Sequence, residues 1–133
     1  MSKSAIYTQN STTQALAVGS TISLGSILRR FGANLNLSGN NSIVVCGGGY
    51  YSVNATITLV GTTAGTATVS LFKDGVEYVT SSVSLAVGDV VTIPLTALIR
   101  EFGCCCDNNS NLTFVLGGVA ESISNISVVA ERI

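Results

Sequence analysis

The chain has no histidine and no tryptophan, and its 133 residues include one proline. Without an imidazole, Ser-His and Cys-His dyads and His-ligated metals are excluded. Charge is the other shortage. Lys and Arg number 6 and Asp and Glu 7, so charged residues are 10 % of the chain and the net charge is −1; an average soluble domain carries about 25 %. Six basic residues are too few for a nucleic-acid-binding patch, so no nucleic-acid partner is expected. Disorder is excluded as well, because 47 % of the residues are hydrophobic and there is little net charge to swell the chain. No apolar run approaches the 18 residues of a membrane span, so no membrane insertion is expected. The first ten residues lack the apolar stretch of a signal peptide, which predicts synthesis in a cytosol.

A monomer of 13.6 kDa exposes about 6,600 Å². Thirteen charges cover that at one per roughly 500 Å², against about one per 200 Å² for average composition. Ser, Thr and Asn, at 17, 14 and 10 residues, fill part of the gap. The mean hydropathy of +0.55 is still high. A neutral hydroxyl surface is one resolution; the favoured one is an oligomer that buries much of the surface, since obligate interfaces lose charge at their centre.

Four cysteines occur, Cys46 alone and the triplet Cys104, Cys105 and Cys106. The spacing is wrong for tetrahedral zinc, which uses C-x₂₋₄-C pairs. A catalytic thiol would lack its histidine. Small buried hydrophobes in a reducing compartment, a Cys46-to-triplet disulfide and a subunit-to-subunit disulfide at a symmetry axis remain as readings. No metal and no cofactor are expected. Asp107 with Asn108 and Asn109 reads as a turn before it reads as a calcium loop. The seven carboxylates are scattered, and a glycosidase pair in an aromatic cleft is poorly supplied. The chain is therefore read as no enzyme.

What is present is β signal. Thr, Val and Ile make up 40 residues, punctuated by Gly, Asn, Ser and Asp. From Tyr50 to Val60 the alternation is strict, with Tyr51, Val53, Ala55, Ile57 and Leu59 on one face. Further strands are predicted at Gln14 to Leu24 (broken at Gly19), Ser42 to Cys46, Thr66 to Lys73, Val76 to Ser82, Val91 to Ile99, Leu112 to Leu116 and Ile123 to Ile133. Asp74-Gly75 is a two-residue hairpin signal, and Gly88-Asp89 marks a second turn. Pro94 predicts an edge or a bulge. The whole is an all-β single domain, a sandwich or barrel of eight to ten antiparallel strands. Residues 1–12 read as an extended or docking segment, and 35–41 and 107–111 as loops.

One internal echo stands out. Leu24 to Gly32 and Leu95 to Gly103 both end in Arg-x-Phe-Gly and hold three of the four Arg residues. The plainer reading is two edge segments with the same job at one end of the molecule. The sharper reading makes Arg29, Arg30, Arg100 and Glu101 a ring of inter-subunit ion pairs.

The segment Gly49-Tyr50-Tyr51-Ser52-Val53 resembles the G-x-Y-x-[IV] strand of tumour-necrosis-factor-like and complement-globular-domain-like jelly rolls, the small bacteriophage and spore-surface modules above all. Ser42 to Cys46 before it and the Val69 to Val76 hairpin after it fit the same order. The resemblance implies a ten-stranded jelly-roll sandwich and a homotrimer around an aromatic axis, with Tyr50, Tyr51, Phe72 and Phe114 available for that axis or the core. It lacks the collagen-like stalk some relatives carry, and the cysteine triplet matches no family feature. The expected role is a non-enzymatic structural protein decorating a phage virion, on capsid or fibre, with itself and other virion or surface proteins as partners. A receptor- or glycan-binding adhesin and a self-polymerising surface appendage subunit are the alternatives.

Overall fold

The computed structural model describes residues 3–101 and 109–133. Every regular element in them is a strand: β1 (Ala5–Asn10), β2 (Gln14–Leu16), β3 (Ser26–Phe31), β4 (Leu35–Ser38), β5 (Ser42–Cys46), β6 (Gly49–Val60), β7 (Gly65–Lys73), β8 (Val76–Leu85), β9 (Val90–Glu101), β10 (Asn109–Gly117) and β11 (Glu121–Arg132). They form two antiparallel sheets, in the orders β3-β1-β11-β6-β9 and β4-β5-β10-β7-β8, with β2 added to β11. The sandwich of the sequence reading is thus present, ten strands in two five-strand paths plus the short β2.

Strand β6 shows why these residues choose this fold. Its odd positions, Tyr51 to Leu59, are buried and its even positions look outward. Twelve register pairs join it to β9, from Gly49–Glu101 to Val60–Val90. A slip by one residue would turn every apolar side chain to solvent. The opposite sheet supplies Ala67, Val69, Leu71, Leu112, Phe114 and Leu116 to the same core, all at 0 % exposure.

The hairpin and proline expectations both hold. Asp74 and Gly75 take φ of 53° and 81°, the paired positive values of a type I′ turn. Pro94 lies on β9, the edge of its sheet, where its missing N–H costs no ladder bond.

Four stretches differ from expectation. Residues 35–38 are strand β4, paired through Leu35–Val45 and Leu37–Ile43, and no loop; the run is too short for its alternation to register. Residues 109–111, read as part of a loop, open strand β10 and pair with Cys46, Val45 and Val44, again too short a run to show its period. Within residues 1–12, Ala5 to Asn10 form β1, paired on one side with β11 and on the other with β3. Only three residues of 14–24 pair as β2. Beyond the break at Gly19, a single bridge from Thr21 to Val115 extends the second sheet, and Ile22 and Leu24 drop fully into the core.

Replacing Ile57 by Ala should cost about 2–5 kcal/mol. Ser82→Ala, on the exposed face of β8, should stay within about 0.5 kcal/mol. Urea denaturation of the two variants measures both.

Candidate functional site

The six-stranded sheet buries one face in the core, and among the described residues nothing covers the other. The register pairs set out that outer face row by row. Phe31, Ala5, Glu131, Ser52 and Leu98 form one row across five strands. Arg29, Tyr7, Val129, Asn54 and Thr96 form the next. Below them lie Gln9, Ser127, Thr56 and Pro94, then Asn125, Thr58 and Thr92. Above the first row, Tyr50 pairs with Arg100, whose guanidinium sits 5.6 Å from the ring centroid. One half of the face is therefore aromatic and aliphatic, with Tyr50, Leu98 and Phe31 about half exposed. The other half is a field of hydroxyls and amides, with Thr58 and Thr92 bonded at 3.0 Å.

At the aromatic end of the sandwich a polar cluster gathers under the glycine run 47–49. The Tyr51 hydroxyl donates to the Gly47 carbonyl at 2.8 Å and, less closely, to that of Cys46. Arg132 donates from Nη2 to Gly48 O at 2.7 Å. Asn34 donates to Cys46 O at 2.7 Å and accepts from the Ser4 hydroxyl. Gly49 has φ +133°, and a Cβ there would stand 3.0 Å from Arg132 Nε, so the run is glycine where the chain must pass close over a side chain. Glu101 is buried beside this cluster, with Oε2 making no hydrogen bond. Burial pushes the Tyr51 phenol above its ordinary value; Arg132 opposes the rise, and Cys46 and Glu101 add to it.

The residues singled out by the sequence are placed as follows. Tyr51 and Phe114 are core, at 0 % exposure. Tyr50 is on the open face, and Phe72 is half-buried on the outer face of the other sheet, opposite Thr113 and Glu77. The echo segments are edge segments, β3 and β9, at the two margins of one sheet. Arg29 and Arg100 consequently lie four strand spacings apart, about 19 Å. Arg30 turns to the other face and donates to Leu35 O at 2.6 Å. One chain therefore does not gather Arg29, Arg30, Arg100 and Glu101 into a cluster. Cys46 ends β5 and is a half-buried free thiol. Cys104, Cys105, Cys106, Asp107 and Asn108 lie outside the described residues. Among the described residues no group of three His, Cys, Asp or Glu is placed to hold a metal ion.

Sequence reasoning passed over Glu121. It is 1 % exposed, and its Oε1 accepts the backbone N–H groups of Thr62 and Thr63 at 3.0 and 2.7 Å. This carboxylate pins the β6–β7 turn. Nothing local marks it, because its partners are 58 and 59 residues away.

No family model matches the chain, and no curated protein matches it in sequence. Solved structures do match in shape. Murine APRIL superposes with a TM-score of 0.78 at 8 % identity, covering 99 % of this chain and 100 % of the other. The globular domain of zebrafish complement 1qA gives 0.71 at 8 %, covering 97 % and 95 %. The PRD1 vertex protein P5 gives 0.66 at 17 %, covering 98 % and 96 %. The chain has the tumour-necrosis-factor and complement-globular-domain jelly-roll fold. In this jelly roll the uncovered outer face belongs to the sheet that holds both chain termini, and the glycine run lies at the edge of its aromatic half.

Tyr51→Phe should cost about 1–2 kcal/mol, the value of a buried hydroxyl's hydrogen bonds. A raised phenol pKa means the folded state holds that proton more tightly than the unfolded state. The stability it contributes is present below about pH 10, the unfolded value, and is lost as pH rises through the folded pKa. Absorbance at the phenolate band should show the Tyr51 phenol ionising only above pH 10, with loss of stability accompanying it.

Proposed function

We propose that this chain is a non-enzymatic structural module that assembles as a homotrimer and decorates a phage virion, on capsid or fibre. The uncovered outer face carries the reading. Its five main strands span about 19 Å and β6 is about 36 Å long, so the face offers on the order of 700 Å². A stable interface needs about 800 Å² per partner. The rows laid out above hold only three charged residues, Arg29, Glu131 and Arg100, which suits an interface centre. Covering the face would also account for a sequence that is poor in charge.

The fold shared with the PRD1 vertex protein P5 supports a virion setting, and those shared with APRIL and complement 1qA support an interaction module. The adhesin alternative loses much of both its loops, since residues 35–38 and 109–111 are strand. The appendage alternative needs a free N-terminal arm, and Ala5 to Asn10 already have strand partners on both sides. Neither nucleic acid nor a bilayer is among the proposed partners; among the described residues no helix is long and apolar enough to cross a membrane.

Light scattering should give about three times the chain mass of 13.6 kDa, with and without reductant. A monomer overturns the trimer. A mass that falls only on reduction assigns the cysteines as inter-subunit staples. Val129→Asp, on the open face, should shift the mass toward one chain, while Thr66→Asp on the other sheet should not. Mass spectrometry of purified particles tests the virion assignment, and the chain's absence from them overturns it.

A further inference from the structure

The two margins of the six-stranded sheet are finished differently. Along β9, the Tyr78 hydroxyl donates to Leu98 O at 2.6 Å and the Ser81 hydroxyl to Pro94 O at 3.0 Å. Pro94 has no N–H to offer a newcomer. Side chains of β8 thus seal that margin. Strand β3, at the other margin, is exposed at all six positions. Its apolar residues Ile27, Leu28 and Phe31 are 38, 53 and 56 % exposed. Among the described residues, its only hydrogen bond outside the β1 ladder comes from the Arg30 side chain, directed back to Leu35.

The open margin is also where the chain spends its scarce positive charge. Arg29 and Arg30 lie on β3, and Lys3 lines a cleft of about 250 Å³ at the Phe31 end, together with Arg132, Ile133 and Glu131. Lys3, Arg29 and Arg30 are half of the six basic residues of a chain with net charge −1. Glu131 is the one acid in the cleft lining. Pairing β3 with its own copy would set the two Arg29-Arg30 pairs against each other, and like charges facing across strands destabilise the pairing. The register skips Leu28, so a newcomer would find a regular ladder only from Arg29 onward and would finish over the cleft.

We propose that β3 is a docking edge for an extended strand of another virion protein, one that alternates acidic and apolar side chains. Its backbone would extend the sheet. Its carboxylates would share the outer face with Arg29 and Lys3, and its apolar side chains would fall on the opposite face, over Ile27 and the stem of Arg30. This is strand addition, in which the ladder gives affinity and the side-chain pattern gives specificity. The inference rests on the virion reading for the source of the partner, and on the geometry of β3 for its chemistry.

The test uses the ¹⁵N-labelled full chain and four probes: a ten-residue peptide alternating valine and glutamate, the same peptide with lysine for glutamate, polyglutamate and an oligothymidylate. The valine–glutamate peptide should slow amide exchange within residues 26–31 at least fivefold. Affinity should fall as salt rises and drop roughly tenfold in Lys3→Glu, about 1.4 kcal/mol, with the solution mass unchanged, since Lys3 lines the cleft and lies outside the rows of the open face. Lys3→Gln should give a smaller loss and guards against a folding defect. No protection of β3, protection elsewhere, or equal binding of any other probe overturns the docking edge. A monomer that protects β3 keeps this inference and sinks the trimer; a trimer that ignores the peptide does the reverse.

Discussion

The ladder joining β6 to β9 on one side and to β11 on the other is what the rest of the molecule depends on. It runs the full twelve residues of β6 against β9 and nearly the full length of β11. Because the side-chain period of a strand is two, this register commits one face of the sheet to the core and exposes the other along its whole length. The second sheet covers the first face with Leu, Val and Phe. Among the described residues, nothing covers the other. The outer face, with its aromatic and hydroxyl halves, follows from that register, and the proposed self-association would use it.

Charge is used sparingly, and several of the few charged groups act inside the fold. Glu121 holds two backbone N–H groups of the β6–β7 turn. Arg132 reaches the glycine run through Gly48 O, beside the buried Tyr51 that holds Gly47 O. A buried charge costs heavily unless it is hydrogen-bonded, so each of these side chains fixes a chain segment in a definite place. The hydroxyls and amides on the surface keep it wettable, and the charges at the β3 margin become distinctive for lack of competitors.

The margins show how a sandwich handles unpaired backbone. At β8 and β9 the two sheets come close enough for hydroxyl side chains to take the free carbonyls of Leu98 and Pro94. Among the described residues, the same need is left unmet at β3. Exposed strand edges invite pairing with other chains, and on the proposed reading the arginines of this margin would select among them.

The strands of the sandwich were legible in the sequence wherever alternation ran long enough. Tyr51 to Leu59, the Asp74-Gly75 turn and the edge position of Pro94 are local properties of period, turn conformation and a missing N–H, and they appear in the structure as read. The short strands were not legible. Residues 35–38 have too few positions to show a period, and Ala5 to Asn10 owe their conformation to two neighbours distant in sequence. The echo of Arg-x-Phe-Gly marked two edge segments, but sequence alone could not place them at opposite margins of one sheet, one sealed and one open. Likewise Glu121 became a turn anchor only because folding brings β11 against the β6–β7 turn. Composition and periodicity determined an all-β, charge-poor domain, because hydrophobic alternation acts residue by residue. Tertiary structure alone decided which face stays uncovered, which margin stays open and which few charges stand beside it, because those depend on strand order, and strand order is a property of the whole chain.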